Sequence, residues 1–141
     1  MRNEKDLLDT WLSLSVVFAK VTDQLETLLQ KQYDLSLKEF YVLHFISRSD
    51  NKKLRLQQLQ ELIGLSQSAT SRLVVRMEAK ECGVLERMIC EDDRRGIYTR
   101  ITELGEKQYQ GALDTVNDAL EGELLNRGRI AEFQQIIGQR F

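Results

Sequence analysis

The stretch Leu65–Thr102, LSQSATSRLVVRMEAKECGVLERMICEDDRRGIYTRIT, decides the fold. Its first half has a helical period. Ser66 is placed to cap, and no Gly or Pro interrupts the run from Ser66 to Glu81. On a helical wheel Ala69, Thr70, Leu73, Val74 and Met77 share one side. Gln67, Ser68, Ser71, Arg72 and Val75 share the other, with Arg76 on the flank. An outward face of hydroxyls, an amide and arginines suits hydrogen bonding to base edges and phosphates. Past Gly83 the period changes. Val84–Cys90 and Ile97–Ile101 are β-branched or apolar runs on either side of EDDRRG, and together they read as a two-stranded hairpin with a basic tip.

Upstream, Leu56–Ile63 reads as a compact helix, and Gly64 stands where a helix ends in the left-handed conformation. A short helix, a Gly-containing turn and a helix with a polar outer face make a helix-turn-helix, and the hairpin makes it winged. Leu54–Arg55–Leu56 is expected to add a short third strand, after a polar turn SRSDNKK. Leu37–Arg48 is expected to be helical with Phe40, Leu43 and Ile46–Ser47 inward. Ser36 and Glu39 have the spacing of a capping box. Before it, Tyr33–Asp34–Leu35 ends a long first helix in which Leu7, Trp11, Leu14, Phe18, Val21, Leu25 and Leu28 follow the a/d spacing of a coiled-coil seam. Leu8, Leu12, Val16, Val17 and Leu29 widen that apolar surface, which either packs on the last helices or pairs two subunits. After the hairpin, Leu104, Tyr109, Leu113, Val116, Leu120 and Leu124 outline a further helix. Asn126–Arg127–Gly128 interrupts it, and Ile130, Phe133, Ile136 and Ile137 outline a last one.

The segment Asp93–Thr102 resembles the wing motif of MarR-type winged helix-turn-helix regulators, D-x-R followed by a strand that ends in an apolar residue and Thr. LSQSATSRLVVRME, GVLER and TELGEK resemble the same family in the right order, over the central half of the chain. AKEC before Gly83 is longer than the family's usual spacing. The resemblance implies a mainly α fold with a small β-hairpin. Residues 35–102 would form the DNA-binding lobe, and residues 1–34 and 103–141 the helical dimerisation region of one domain. It implies a dimeric, sequence-specific regulator, a repressor, on a pseudo-palindromic double-stranded operator, with affinity lowered by a small lipophilic or phenolic effector. The expected base contacts are Gln67, Ser68, Ser71 and Arg72, at the start of the helix capped by Ser66. Arg76, Lys53 and Arg55 read as phosphate contacts. Arg94 and Arg95 read as minor-groove contacts at the hairpin tip. By resemblance Arg95 enters that groove and Asp93 orients it.

Charge agrees once it is divided along the chain. The net value is −2, but residues 36–102 hold 12 basic and 9 acidic groups. Within 52–76, Lys52, Lys53, Arg55, Arg72 and Arg76 face only Glu61. At 141 residues, 42% hydrophobic and 30% charged, the chain is long enough for a core and is not of disordered composition. It shows no secretory layout and no apolar run of membrane-spanning length, so a cytoplasmic setting is expected. Cys82 and Cys90, with His44 as the single histidine, match no zinc spacing, and no metal or cofactor is expected. A thiol switch of the kind some relatives use does not carry over, because no cysteine lies in the N-terminal helices. His44, within YVLHFI, reads as a packed, hydrogen-bonded imidazole rather than a ligand. No nucleophile elbow, P-loop or dinucleotide fingerprint is present, so an enzyme is not expected. The alternative from another class is a helical adaptor that dimerises or binds a protein partner without DNA.

Overall fold

The computed structural model describes residues 4–79, 83–89, 97–126, 128, 130–131 and 134–135. Helix α1 spans Glu4–Tyr33 and α2 spans Leu37–Ser47. A 3₁₀ turn at Asp50–Lys52 leads into strand β1, Lys53–Arg55. Helices α3, Leu56–Ile63, and α4, Gln67–Ala79, follow. The hairpin strands are β2, Leu85–Ile89, and β3, Ile97–Ile101, and α5 runs from Glu103 to Leu120 with a π-helical turn, Glu121–Asn126, behind it. The fold is mainly α with a three-stranded antiparallel sheet in the order β1-β3-β2. The third strand forms one residue earlier than the sequence suggested, because Leu56 already starts α3.

Local chemistry fixes the joints. Asp34 leaves α1 in the left-handed region, and the α2 capping box closes as expected: Glu39 N–H donates to Ser36 Oγ at 3.0 Å, and Ser36 N–H to Glu39 Oε1 at 2.8 Å. Glu26 of α1 also accepts from Leu37 N–H at 3.0 Å, a carboxylate at a helix N-terminus. Gly64 ends α3 at φ 78°, a conformation that costs a residue with Cβ, and so sets the turn into α4. Thr102 caps α5, accepting from Gly105 N–H at 3.1 Å.

One core joins the elements. Val17, Val21, Leu25 and Leu29 of α1 are buried, a row with a constant four-residue step rather than the expected 4-3 seam. They meet Leu35 and Val42, Leu43 and Ile46 of α2, with Leu59, Leu73, Met77, Val84, Ile101, Tyr109 and Val116 from the remaining elements. The N-terminal half of α1 is different. Leu7, Leu8, Trp11, Leu12, Val16 and Phe18 are exposed, Trp11 and Phe18 by 65% and 68%. No described helix is long and apolar enough to cross a membrane. Phe133, Ile136 and Ile137 lie outside the described residues.

Gly105 sits where α5 crosses the base of the hairpin. A Cβ there would strike the Val84 carbonyl oxygen and lie 2.8 Å from Ile101 Cγ1. We expect Gly105→Ala to lower stability by about 2 kcal/mol, seen as a lower urea midpoint at unchanged slope. An unchanged midpoint would mean that the helix and hairpin are not in such close contact.

Candidate nucleic-acid interface

Helix α4 divides its residues cleanly. Ser66 Oγ accepts from Ala69 N–H at 3.1 Å, and Thr70 Oγ1 donates to Ser66 O at 2.8 Å, which fixes the first turn. Thr70, Leu73, Val74 and Met77 are buried against the core, each apolar one contributing about 1.5–3 kcal/mol. Gln67, Ser68, Arg72, Val75 and Arg76 are exposed, and Ser71 is half-buried. The outward face is therefore the one the sequence indicated. Arg76 leans towards α2, its Nε 3.9 Å from the Glu39 carboxylate.

A cleft of about 760 Å³ runs between this helix, α3 and the sheet. Gln67, Ser71 and Val74 line one side, Gln57 and Gln60 the floor, and Arg55, Arg87, Ile97 and Thr99 the other. Arg87 reaches across to α4, where its Nε donates to Glu78 Oε1 and Oε2, both at 3.1 Å. That pair bridges the hairpin and the helix. It lay hidden in the sequence, although period-two alternation places Arg87 on the same sheet face as buried Leu85 and so next to α4. On the opposite face Arg100 pairs with Glu86 across the β2–β3 register. Lys53 and Arg55 lie on β1 at the sheet edge, both against the ring of Tyr98. The structure thus brings Arg55, Gln67 and Ser71 to one cleft, with Ser68, Arg72 and Arg76 exposed on α4 and Lys53 beside Arg55 on β1. Asp93, Arg94 and Arg95 lie outside the described residues.

A family model described as the MarR family matches residues 33–96. Over that segment the chain is similar to the MarR family. Solved MarR-family structures carry the likeness of fold to both ends of the chain. AbsC from Streptomyces coelicolor, a MarR family transcriptional regulator, is 22% identical with a TM-score of 0.80, covering 96% of this chain and 90% of its own. Sco3205 from the same organism, solved in complex with DNA, is 20% identical with a TM-score of 0.79, covering 99% and 89%. A cysteine-to-serine mutant of MarR from E. coli, complexed with operator DNA, is 19% identical with a TM-score of 0.76, covering 99% and 98%. No protein of curated function matches the sequence.

Among the described residues no group of His, Cys, Asp and Glu is placed to hold a metal ion. Cys82 and Cys90 lie outside them. His44 is packed as expected: Nδ1 lies 2.8 Å from Tyr109 Oη, and the imidazole stands among Phe40, Phe45 and Tyr109. Burial, and secondly the charge of Arg48, pull its pKa below the ordinary 6.5. The unfolded chain therefore takes up a proton near pH 6.5 that the folded chain resists. Stability is lost as pH falls from 6.5 to the folded pKa and no further below it. Since His44 is the single histidine, its ring resonances titrate alone in NMR. The expected midpoint is below 6.5; one at or above 6.5 would contradict the packing described.

Proposed function

We propose that the protein is a sequence-specific double-stranded DNA-binding transcriptional regulator, a homodimeric repressor acting on a pseudo-palindromic operator. The observation that carries this reading is the exposed polar face of α4 beside the cationic sheet edge, on a fold whose solved relatives include two bound to DNA. A major groove accommodates one helix, and the outward α4 residues offer the donors and acceptors that base edges require. Arg72 is the candidate guanine contact. Lys53 and Arg55 are phosphate contacts, and Arg94 and Arg95 are minor-groove contacts, with Asp93 orienting Arg95.

The exposed half of α1 supports the dimer. Six large apolar side chains on one helix leave a surface that a second copy would cover, in a cytoplasmic setting. Two lobes related by a dyad would read half-sites about one helical turn (~34 Å) apart. Control by a small lipophilic or phenolic anion fits the same plan: a ligand that prefers a different lobe separation would lower operator affinity by that preference alone.

Gel retardation against a selected site and an unrelated duplex, at two salt concentrations, tests the reading. Specific binding should survive competitor and weaken with salt. Arg72→Ala should relax base preference, costing about 1–3 kcal/mol on the selected site. Lys53→Ala should weaken binding to all sequences alike and lower the salt slope by about 1. Neither change affecting the curves would show that this surface does not touch DNA, and wild-type protein with no DNA affinity would leave the adaptor reading. For the dimer, the double change Trp11→Glu, Phe18→Glu should give a monomer in sedimentation and at least tenfold weaker operator binding. A dimer that survives both charges would place the subunit contact elsewhere.

A further inference from the structure

Tyr98 lies on the sheet face turned away from the core. Thr99 and Ile101 of β3 are buried, so alternation sends Tyr98 and Arg100 to the other side. Across the ladder Tyr98 is paired with Arg55, and Lys53 lies two residues back on the same face of β1. Lys53 Nζ stands 4.6 Å from the centre of the Tyr98 ring and Arg55 Cζ 5.2 Å from it. Arg55 Nη2 also donates to Tyr98 Oη at 3.1 Å. Two cations held this close repel each other, and the negative face of the ring offsets that repulsion. Long basic side chains lose rotamer freedom when they settle on a phosphate, so cations already ordered by a shared ring lose less.

We propose that Tyr98 is a positioning residue for the DNA backbone. It holds Lys53 next to Arg55, which lines the cleft together with Gln67 and Ser71. The inference rests on the regulator reading above and adds to it the group that orders the cations, one that carries no charge of its own. Because the clamp addresses phosphates, its effect is independent of sequence.

The test uses the full chain, a selected site and an unrelated duplex of equal length. Tyr98→Leu removes the ring and should weaken binding to both duplexes alike, roughly tenfold, leaving their ratio unchanged. Tyr98→Phe keeps the ring and its packing, loses the hydrogen bond to Arg55, and should cost about twofold. The decisive comparison is a double-mutant cycle. In a Lys53→Ala, Arg55→Ala background, neither Tyr98 change should weaken binding further, whereas a merely structural role would cost the same factor in both backgrounds. Wild-type affinity in either Tyr98 variant, or an undiminished loss in the doubly substituted background, overturns the proposal. Binding without discrimination between duplexes overturns the regulator reading alone, and no binding to either overturns both.

Discussion

The hairpin is closed at its base by one threonine, and the geometry of the rest depends on that closure. Thr102 Oγ1 donates to Gly83 O at 2.7 Å and accepts from Gly105 N–H, while its own N–H donates to Val84 O at 3.1 Å. Three bonds at a single residue tie the entry of β2 to the exit of β3 and the start of α5. Gly105 lets the helix lie against that knot without a Cβ in the way. The hairpin therefore cannot swing freely about its base. Further out, the two-pronged contact of Arg87 with Glu78 joins it to α4. Net gains of about 1 kcal/mol per hydrogen bond are small, but together they select one orientation of hairpin against helix.

The same junction connects the lobe to the rest of the chain. Helix α5 runs back from Thr102 to α1, where Gln108 Nε2 donates to Tyr33 O at 2.7 Å and Tyr33 Oη lies 3.1 Å from Thr115 Oγ1. Glu106 collects Ser47 Oγ and Lys52 Nζ, both at 2.9 Å, so α2 and the turn before β1 are held to α5 as well. Packed and hydrogen-bonded contacts thus run from the C-terminal end of α1 through α5 to the turn before β1.

Much of this was legible in the sequence, for identifiable reasons. Helix α3 has the predicted bounds because Gly64 terminates it through its own backbone preference, and α2 begins where a Ser and a Glu three residues apart satisfy each other's backbone donors. The two faces of α4 follow from period alone. Contacts between elements distant in sequence were less accessible. The buried row on α1 follows a four-residue step because its partners are α2 and α5 rather than a parallel helix, and periodicity does not name partners. Arg87 looked like an ordinary charged strand residue until the fold placed Glu78 opposite it. Lys53 and Arg55 were identified by charge, whereas the ring that organises them became apparent only with the β1–β3 register. Leu104, counted on the apolar side of α5, is 42% exposed, because α5 turns its Gly105 and Tyr109 side inward.

In the proposed complex the outward face of α4 enters a major groove while the sheet beside it grips the adjoining backbone, once in each of two subunits. Guanine N7 methylation protection on a selected duplex reads major-groove occupancy directly. Two short protected patches with dyad symmetry, centred about one helical turn apart (~10 base pairs), are expected. Unprotected guanines throughout the bound site, or protection spread evenly along it, would contradict that arrangement.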